Sequence, residues 1–182
     1  MRIQYYVGIC LILLAFFGCA GSAEIDRKQA LEAMDLAKNL HADVLASKDF
    51  EQAQDIWGRA QAAEKEGKTD AAKVLFSTAK IAFGKAGDIA KAKKDALSRQ
   101  LSAMQAMIGE NFDQVKIDLA SKNLSARQKS LVTAIAAEVE KGNASIQEYV
   151  AQEDFIKAVA TAKDVQTQIY HAQLTLAGQK IK

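Results

Sequence analysis

The sequence predicts an all-α protein built from antiparallel helical hairpins. Apolar residues recur at alternating steps of three and four along most of the chain, a spacing that places them on one side of a helix. The 182 residues include no proline, and 49% of them are hydrophobic, with many alanine, lysine and glutamate residues that favour helix. Alternating β-branched runs bounded by tight-turn dipeptides, which are typical of strands, do not occur. The periodicity leaves open whether the hairpins close into a bundle or stack as a short superhelical array.

The chain begins with the features of a secretory leader. Arg2 precedes an apolar run over residues 7–17, which is shorter than the ~20 residues of a spanning helix and is followed by small residues. The exit Ala15-Phe16-Phe17-Gly18-Cys19 resembles the lipobox of bacterial lipoproteins, although two phenylalanines stand where aliphatic and small residues are usual. In that family the cysteine is lipidated and the leader is cleaved before it. The resemblance implies a signal peptide over residues 1–18 and lipidation of Cys19.

Residues 19–23 are then expected to form a lipidated cysteine and a short tether, followed by an alanine-rich helical domain over 24–182. Ala20 is not the aspartate that often retains such lipoproteins in the inner membrane, so the resemblance implies the outer membrane, facing the periplasm, if the cell is Gram-negative. The alternative is cleavage after Ala23, which would remove Cys19. Either reading leaves no disulfide, because the other cysteine, Cys10, lies inside the leader.

The first helix of the mature chain is expected from Ala23–Glu24 to Ala46–Ser47, with His41 on its apolar side. Asp49 then suits the N-cap of the next helix, because its carboxylate can accept from free backbone amides. A central hairpin follows over residues 50–86, with its turn at 67–70. Its predicted packing anchors share the apolar stripe or the turn: Phe50, Ile56, Trp57, Ala60, Gly67, Ala72, Phe76, Ala79 and Phe83. Phe83 lies where the stripe is expected to widen into a groove.

From Ile56 onward the small and aromatic residues of this hairpin resemble one tetratricopeptide repeat, a helix–turn–helix unit of about 34 residues. Arg59 and Gly84 depart from the pattern, at positions where an aliphatic residue and a proline are usual. Two looser echoes of the segment around Asp49-Phe50 occur at Asp154-Phe155 and at Asn111-Phe112. They indicate either a repeat or simply similar turn chemistry, and the sequence favours neither.

In the second half, a helix is predicted from Asp88 to Gly109. Gly84 and Gly87 either end the preceding helix or are tolerated within one long helix, and the absence of polar breakers favours continuity. A short helix is expected over 112–119, and a break over 121–125.

Ser125 and Gln128 then match a capping box. The helix that they begin is expected to end at Gly142–Asn143, and a short helix over 146–150 leads to a turn at 152–154. The last helix carries the stripe Phe155, Ala158, Ala162, Val165, Ile169, Ala172 and Leu176.

Composition and motifs argue against catalysis and nucleic-acid binding. The net charge is +2, and basic residues are interspersed with acidic ones, whereas nucleic-acid binding leaves a basic stripe. His41 is interpreted as a core-edge residue and His171 as solvent-facing. Neither has the Ser, Cys or Glu-x-x-His context of a nucleophilic or metal site, and there is no glycine-rich phosphate loop. We therefore expect no enzyme activity, no metal and no cofactor.

The chain also resembles alanine-rich bacterial lipoproteins of unknown function. The expectation is a membrane-anchored envelope lipoprotein that acts as a non-catalytic helical scaffold or adaptor for other envelope proteins. The alternative is a periplasmic carrier of lipid or another apolar ligand between amphipathic helices, against which the close packing of alanine argues. Partner identity and self-association, for instance through the last helix, stay open.

Overall fold

The computed structural model describes residues 20–179, with side chains from Ala23 onward. Within this range the chain forms helices and no strand, which confirms the all-α class. The helices are α1 Ala20–Asn39, α2 Ala42–Leu45, α3 Ser47–Lys65, α4 Thr69–Ser121, α5 Ala126–Ala151 and α6 Phe155–Leu176. None of these helices is both long and apolar enough to cross a membrane.

The described chain divides into two compact units at the Lys93–Lys94 bond. The first unit contains α1, α2, α3 and the N-terminal part of α4, and the second contains the rest of α4 with α5 and α6. Each unit has a hydrophobic core of its own. The long helix α4 therefore contributes to both cores.

The core of the first unit consists almost entirely of alanine and phenylalanine. Phe50 of α3 lies 5.4 Å from Phe83 of α4, and Trp57 lies 5.1 Å from Phe76, measured between ring centroids. Because the later residue of α3 meets the earlier residue of α4, these two contacts have antiparallel order. Alanines fill the positions between the rings, and their small side chains allow the helix backbones to approach closely.

The second unit has a more conventional core of branched aliphatic residues. The buried side chains from the three helices include Leu101 and Ile108 of α4, Val132 and Val139 of α5, and Val165 of α6. The Ser125–Gln128 capping box is confirmed: Ser125 Oγ accepts from the Gln128 backbone N–H, and the Gln128 side chain accepts from the Ser125 N–H. The turn at 152–154 is also confirmed, with Asp154 accepting from the Lys157 N–H at the start of α6.

The first predicted helix is wrong at its C-terminal end. The described part of α1 already includes Ala20, ahead of the expected start at Ala23–Glu24, and α1 ends at Asn39, where a turn separates it from the single-turn helix α2. His41 adopts the left-handed conformation, with φ of 56°, and is exposed rather than buried at a core edge. This turn brings Ala42 and Ala46 into the core. An uninterrupted helix would change the directions in which both alanines point.

Asp49 is not an N-cap, because α3 already begins at Ser47. Its carboxylate instead lies 3.2 Å from the Lys85 ammonium of α4. The three echoed segments also differ locally: Asp154 caps a helix, Asp49 lies in a first turn, and Asn111 lies inside α4. They therefore do not share one local structure.

Two predicted interruptions are absent, and one prediction of continuity is confirmed. The helix α4 runs through Gly84 and Gly87 as expected, but it also runs through Gly109, so the separate helix over 112–119 does not exist. In the same way α5 continues through Gly142–Asn143 and absorbs the short helix expected over 146–150. A single helical glycine costs only about 1 kcal/mol relative to alanine, which packing readily offsets.

Candidate functional site

The predicted packing anchors lie in the first unit, and most of them are buried. Phe76, Phe83, Ala60, Ala72 and Ala79 have no exposed surface, and Phe50 is 3% exposed. Ile56 and Trp57 are half-buried at the margin of the same core. Gly67 lies in the α3–α4 turn with φ of 72°, a conformation that side chains disfavour.

Phe83 lines no groove, contrary to the expectation. Its ring is fully buried against Phe50, and the stripe around it stays closed through Ala86 and Ala90, which are also fully buried. The reason is the small size of alanine: the helices come close enough to exclude water along the whole stripe.

Ionisable groups in the described residues form exposed pairs rather than a reactive cluster. The Lys68 ammonium donates a hydrogen bond to the Glu66 carboxylate at 2.7 Å, which lowers the pKa of Glu66 and raises the pKa of Lys68. Near the end of α4, hydrogen bonds from Lys122 and Gln114 lower the pKa of Asp118. Each of these exposed pairs affects only the helix end or turn in which it lies.

Within residues 20–179, no three His, Asp or Glu side chains are grouped so that they could hold a metal ion. His41 is exposed in the turn after α1, and His171 is half-buried on α6 rather than fully solvent-facing as expected. Tyr170, next to His171, is 57% exposed, with its ring centroid 6.4 Å from the imidazole.

The surface of the first unit has an open cleft of about 290 Å³ between α1 and α3, which we call the Trp57 cleft. It is lined by Glu24, Arg27, Lys28, Leu31 and Trp57. The Trp57 ring system makes a T-shaped contact with Phe76 in the core, while Trp57 as a whole is only half-buried. The cleft thus combines an aromatic ring, an exposed leucine and two cations with one carboxylate.

Within residues 23–179, the charged side chains of the Trp57 cleft have no close ion-pair partner. Among the described residues, no ion pair engages Arg27 or Lys28. The indole N–H of Trp57 likewise has no acceptor within residues 23–179, although it is not buried out of reach of solvent. Both cations and the indole are therefore available to an external anion.

A second, shallower depression of about 570 Å³ has all of its described lining residues on α3. Lys48, Glu51, Gln52, Asp55 and Ile56 line it. Its two described carboxylates outnumber its one described ammonium, and it is more open to solvent than the Trp57 cleft. It offers weaker geometry for a ligand than the Trp57 cleft.

The sequence prediction included Trp57 as a core anchor but missed the cleft around it. A signal was present, because Glu24, Arg27 or Lys28, and Leu31 recur at steps of three and four and so share one side of α1. What the periodicity could not reveal is that this side of α1 borders Trp57. That information is tertiary.

Cys19, the predicted lipidation site, lies outside the described residues. The comparisons with known proteins add no assignment: no protein family, curated protein or solved structure matches the chain significantly.

Proposed function

We propose that the chain is an envelope lipoprotein, held to the membrane by lipid on Cys19, whose helical part is a non-catalytic scaffold for other envelope proteins. The observation that carries the proposal is the lipobox-like exit Ala15–Cys19 directly after a short apolar leader. After Cys19 the chain contains no further cysteine, so a thiol at this position serves the anchor and no disulfide.

The helical conformation at Ala20 supports the proposal that the folded part of the protein is held close to the membrane. Because α1 already includes Ala20, the first described residue, little flexible chain separates the lipid proposed on Cys19 from the folded part. Several acyl chains on one residue anchor firmly, whereas a single chain binds only marginally.

The packing of both units supports a scaffold. Alanine stripes in the first unit and aliphatic side chains in the second fill the cores of the described residues, and the outer surfaces of these helices are open to contacts. Some large apolar side chains stay on those surfaces, among them Ile81 at 70% exposure and Tyr170 at 57%. Exposed side chains of this kind are available for protein contacts.

Metabolic labelling with a palmitate analogue tests the anchor. The wild-type chain and Cys10→Ala, the matched control within the leader, should both be labelled, and Cys19→Ala should not. Mass spectrometry of the mature N-terminus should find an acylated Cys19. A mature chain that begins at Glu24, or unchanged labelling of Cys19→Ala, would contradict the proposal.

Photo-crosslinking in intact cells tests the scaffold. A crosslinking residue at Ile81 or Tyr170 should yield defined adducts with envelope proteins, and these adducts should diminish in the Cys19→Ala background. If the only adducts join two copies of this chain, the adaptor role is contradicted and self-association is supported instead. Lipid that stays bound to the purified, detergent-exchanged protein in native mass spectrometry, beyond the acyl groups on Cys19, would favour the carrier instead.

A further inference from the structure

The Trp57 cleft has the chemistry of a membrane headgroup site. Arg27 and Lys28 supply two positive charges without a described ion-pair partner, against the single negative charge of Glu24. Leu31 is 42% exposed, and the indole offers an apolar body with one N–H donor. Tryptophan and basic side chains together are characteristic of surfaces that contact the interfacial layer of a bilayer.

We propose that the Trp57 cleft binds the phosphate of an anionic phospholipid in the membrane to which Cys19 is attached. The inference rests on the proposed function, because the lipid on Cys19 supplies the nearby bilayer. Arg27 and Lys28 contact the phosphate oxygens, the Trp57 N–H donates to the phosphate or ester region, and Leu31 faces the glycerol end of the acyl chains.

The distance from the anchor then defines how α1 must lie. At 1.5 Å per helical residue, Lys28 is ~12 Å and Leu31 is ~17 Å along the axis from Ala20, the residue that follows Cys19 in the sequence. The interfacial layer on each side of a bilayer is only ~5–8 Å thick. An upright α1 would hold the cleft outside this layer, so headgroup binding requires α1 to lie along the membrane surface.

A phospholipid suits the cleft better than an acidic peptide does. The anchor keeps headgroups at high local concentration beside residues 24–31, whereas a peptide would have to be recruited from solution. The cleft also has apolar walls next to its cations, which matches the junction of phosphate and acyl chain. An acidic peptide would use the cations but would leave Trp57 and Leu31 in water.

Trp57 makes the inference directly measurable, because it is the only tryptophan in the chain. The mature lipidated protein is reconstituted into vesicles of phosphatidylcholine alone or with phosphatidylglycerol, and tryptophan emission is recorded. With phosphatidylglycerol we expect a blue shift and strong quenching by lipids brominated near the glycerol end of their acyl chains. Raising the salt concentration from 0.1 M to 1 M shortens the electrostatic screening length from about 10 Å to about 3 Å. It should therefore reverse that part of the blue shift and quenching that depends on phosphatidylglycerol.

The double variant Arg27→Gln/Lys28→Gln should lose the phosphatidylglycerol-dependent shift and quenching. The matched control is Lys48→Gln/Arg59→Gln, which removes two exposed cations from α3 without touching the cleft, and it should behave as wild type. Far-UV circular dichroism verifies that both variants keep their helix content.

Co-sedimentation with the vesicles separates this inference from the proposed function. If the wild-type chain sediments but Trp57 emission is the same in both lipids, the headgroup site is refuted and the anchor stands. If the purified mature chain carries no lipid and does not sediment, the anchor itself fails. Equal loss of signal in both double variants would refute a site at the cleft, as would a Trp57 response to an acidic peptide and not to phosphatidylglycerol.

Discussion

Gly142 lies where α5 packs against α6, and a substitution there tests the packing directly. A Cβ built on Gly142 would collide with the Val165 side chain, whose residue is 2% exposed. Gly109, in α4 of the same unit, has no atom within 4 Å of the corresponding position. The same change, glycine to alanine, should therefore have opposite consequences at the two sites.

The magnitudes follow from two opposing effects. Alanine favours helix over glycine by about 0.8–1.0 kcal/mol, so Gly109→Ala should raise the free energy of unfolding by about that amount. At Gly142 the same gain is opposed by overpacking, which costs about 1–3 kcal/mol. Valine cannot relieve the collision easily, because its branched side chain has one strongly preferred rotamer in a helix. We expect Gly142→Ala to lower the free energy of unfolding by up to about 2 kcal/mol.

Urea denaturation of the mature chain, followed by circular dichroism, measures both variants against wild type. A double-mutant cycle isolates the contact: in a Val165→Ala background the collision is absent, and Gly142→Ala should become stabilising, with a coupling energy of about 1–3 kcal/mol. If Gly142→Ala stabilises the wild-type chain as much as Gly109→Ala does, the close approach of α5 and α6 is wrong.

Three further predictions concern the core, the first turn and one carboxylate. Phe83→Ala should lower the free energy of unfolding by about 3–5 kcal/mol, because removal of the buried ring leaves a cavity among alanines. Ile81→Ala, at an exposed position of the same helix, should change the free energy of unfolding by less than about 0.5 kcal/mol. Equal urea midpoints for the two variants would contradict the burial of the Phe83 ring. His41→Gly should raise the free energy of unfolding by about 0.5–1 kcal/mol, because glycine adopts the left-handed conformation without strain. His41→Ala should not raise it, and the midpoints of thermal unfolding distinguish the two variants. The pKa of Asp118, read from its carboxyl carbon by NMR, should lie below its ordinary value and rise in Lys122→Gln. Because the folded-state pKa is the lower one, the stabilisation is present above the unfolded pKa and is lost as pH falls through the folded pKa; an unchanged Asp118 pKa in Lys122→Gln would count against the pairing.

The class of fold and most core residues could be predicted because helical periodicity is a local property. Phe76, Phe83 and the alanines between them recur at steps of three and four, and nearly every such position is buried. The same holds for α6, where the predicted stripe from Ala158 to Leu176 is the buried face. Capping chemistry is equally local, so Ser125 and Gln128 were identified from four residues.

The breaks were harder to predict because they depend on packing. No glycine or asparagine occupies position 41, yet His41 takes the left-handed conformation there, and the adjacent turn buries Ala42 and Ala46. In contrast, Gly142 is a residue type that is typical of helix ends, but here it lies inside α5, where Val165 leaves no room for a Cβ. A glycine that ends a helix and a glycine that permits close packing are indistinguishable until the neighbouring helix is known.

The candidate site needed the same kind of information. The sequence predicts Trp57 as a core anchor, and the structure places it half-buried at the margin of the core. Its partial exposure and its four neighbours on α1 depend on which side of α1 meets α3. Arg27 and Lys28 are unremarkable in a sequence with 24 basic residues. They become informative only beside the one indole.

The continuity of α4 bears on how the protein can be dissected. A cut between Lys93 and Lys94, the boundary of the two units, would fall inside an unbroken helix and create new ends with about four unpaired N–H groups and about four unpaired C=O groups. Truncations intended to isolate either half should therefore retain the flanking turns of this helix or supply a capping residue. Fragments that end at this boundary would have frayed helix ends. Their measured stability would then reflect the new helix ends rather than the stability of the unit itself.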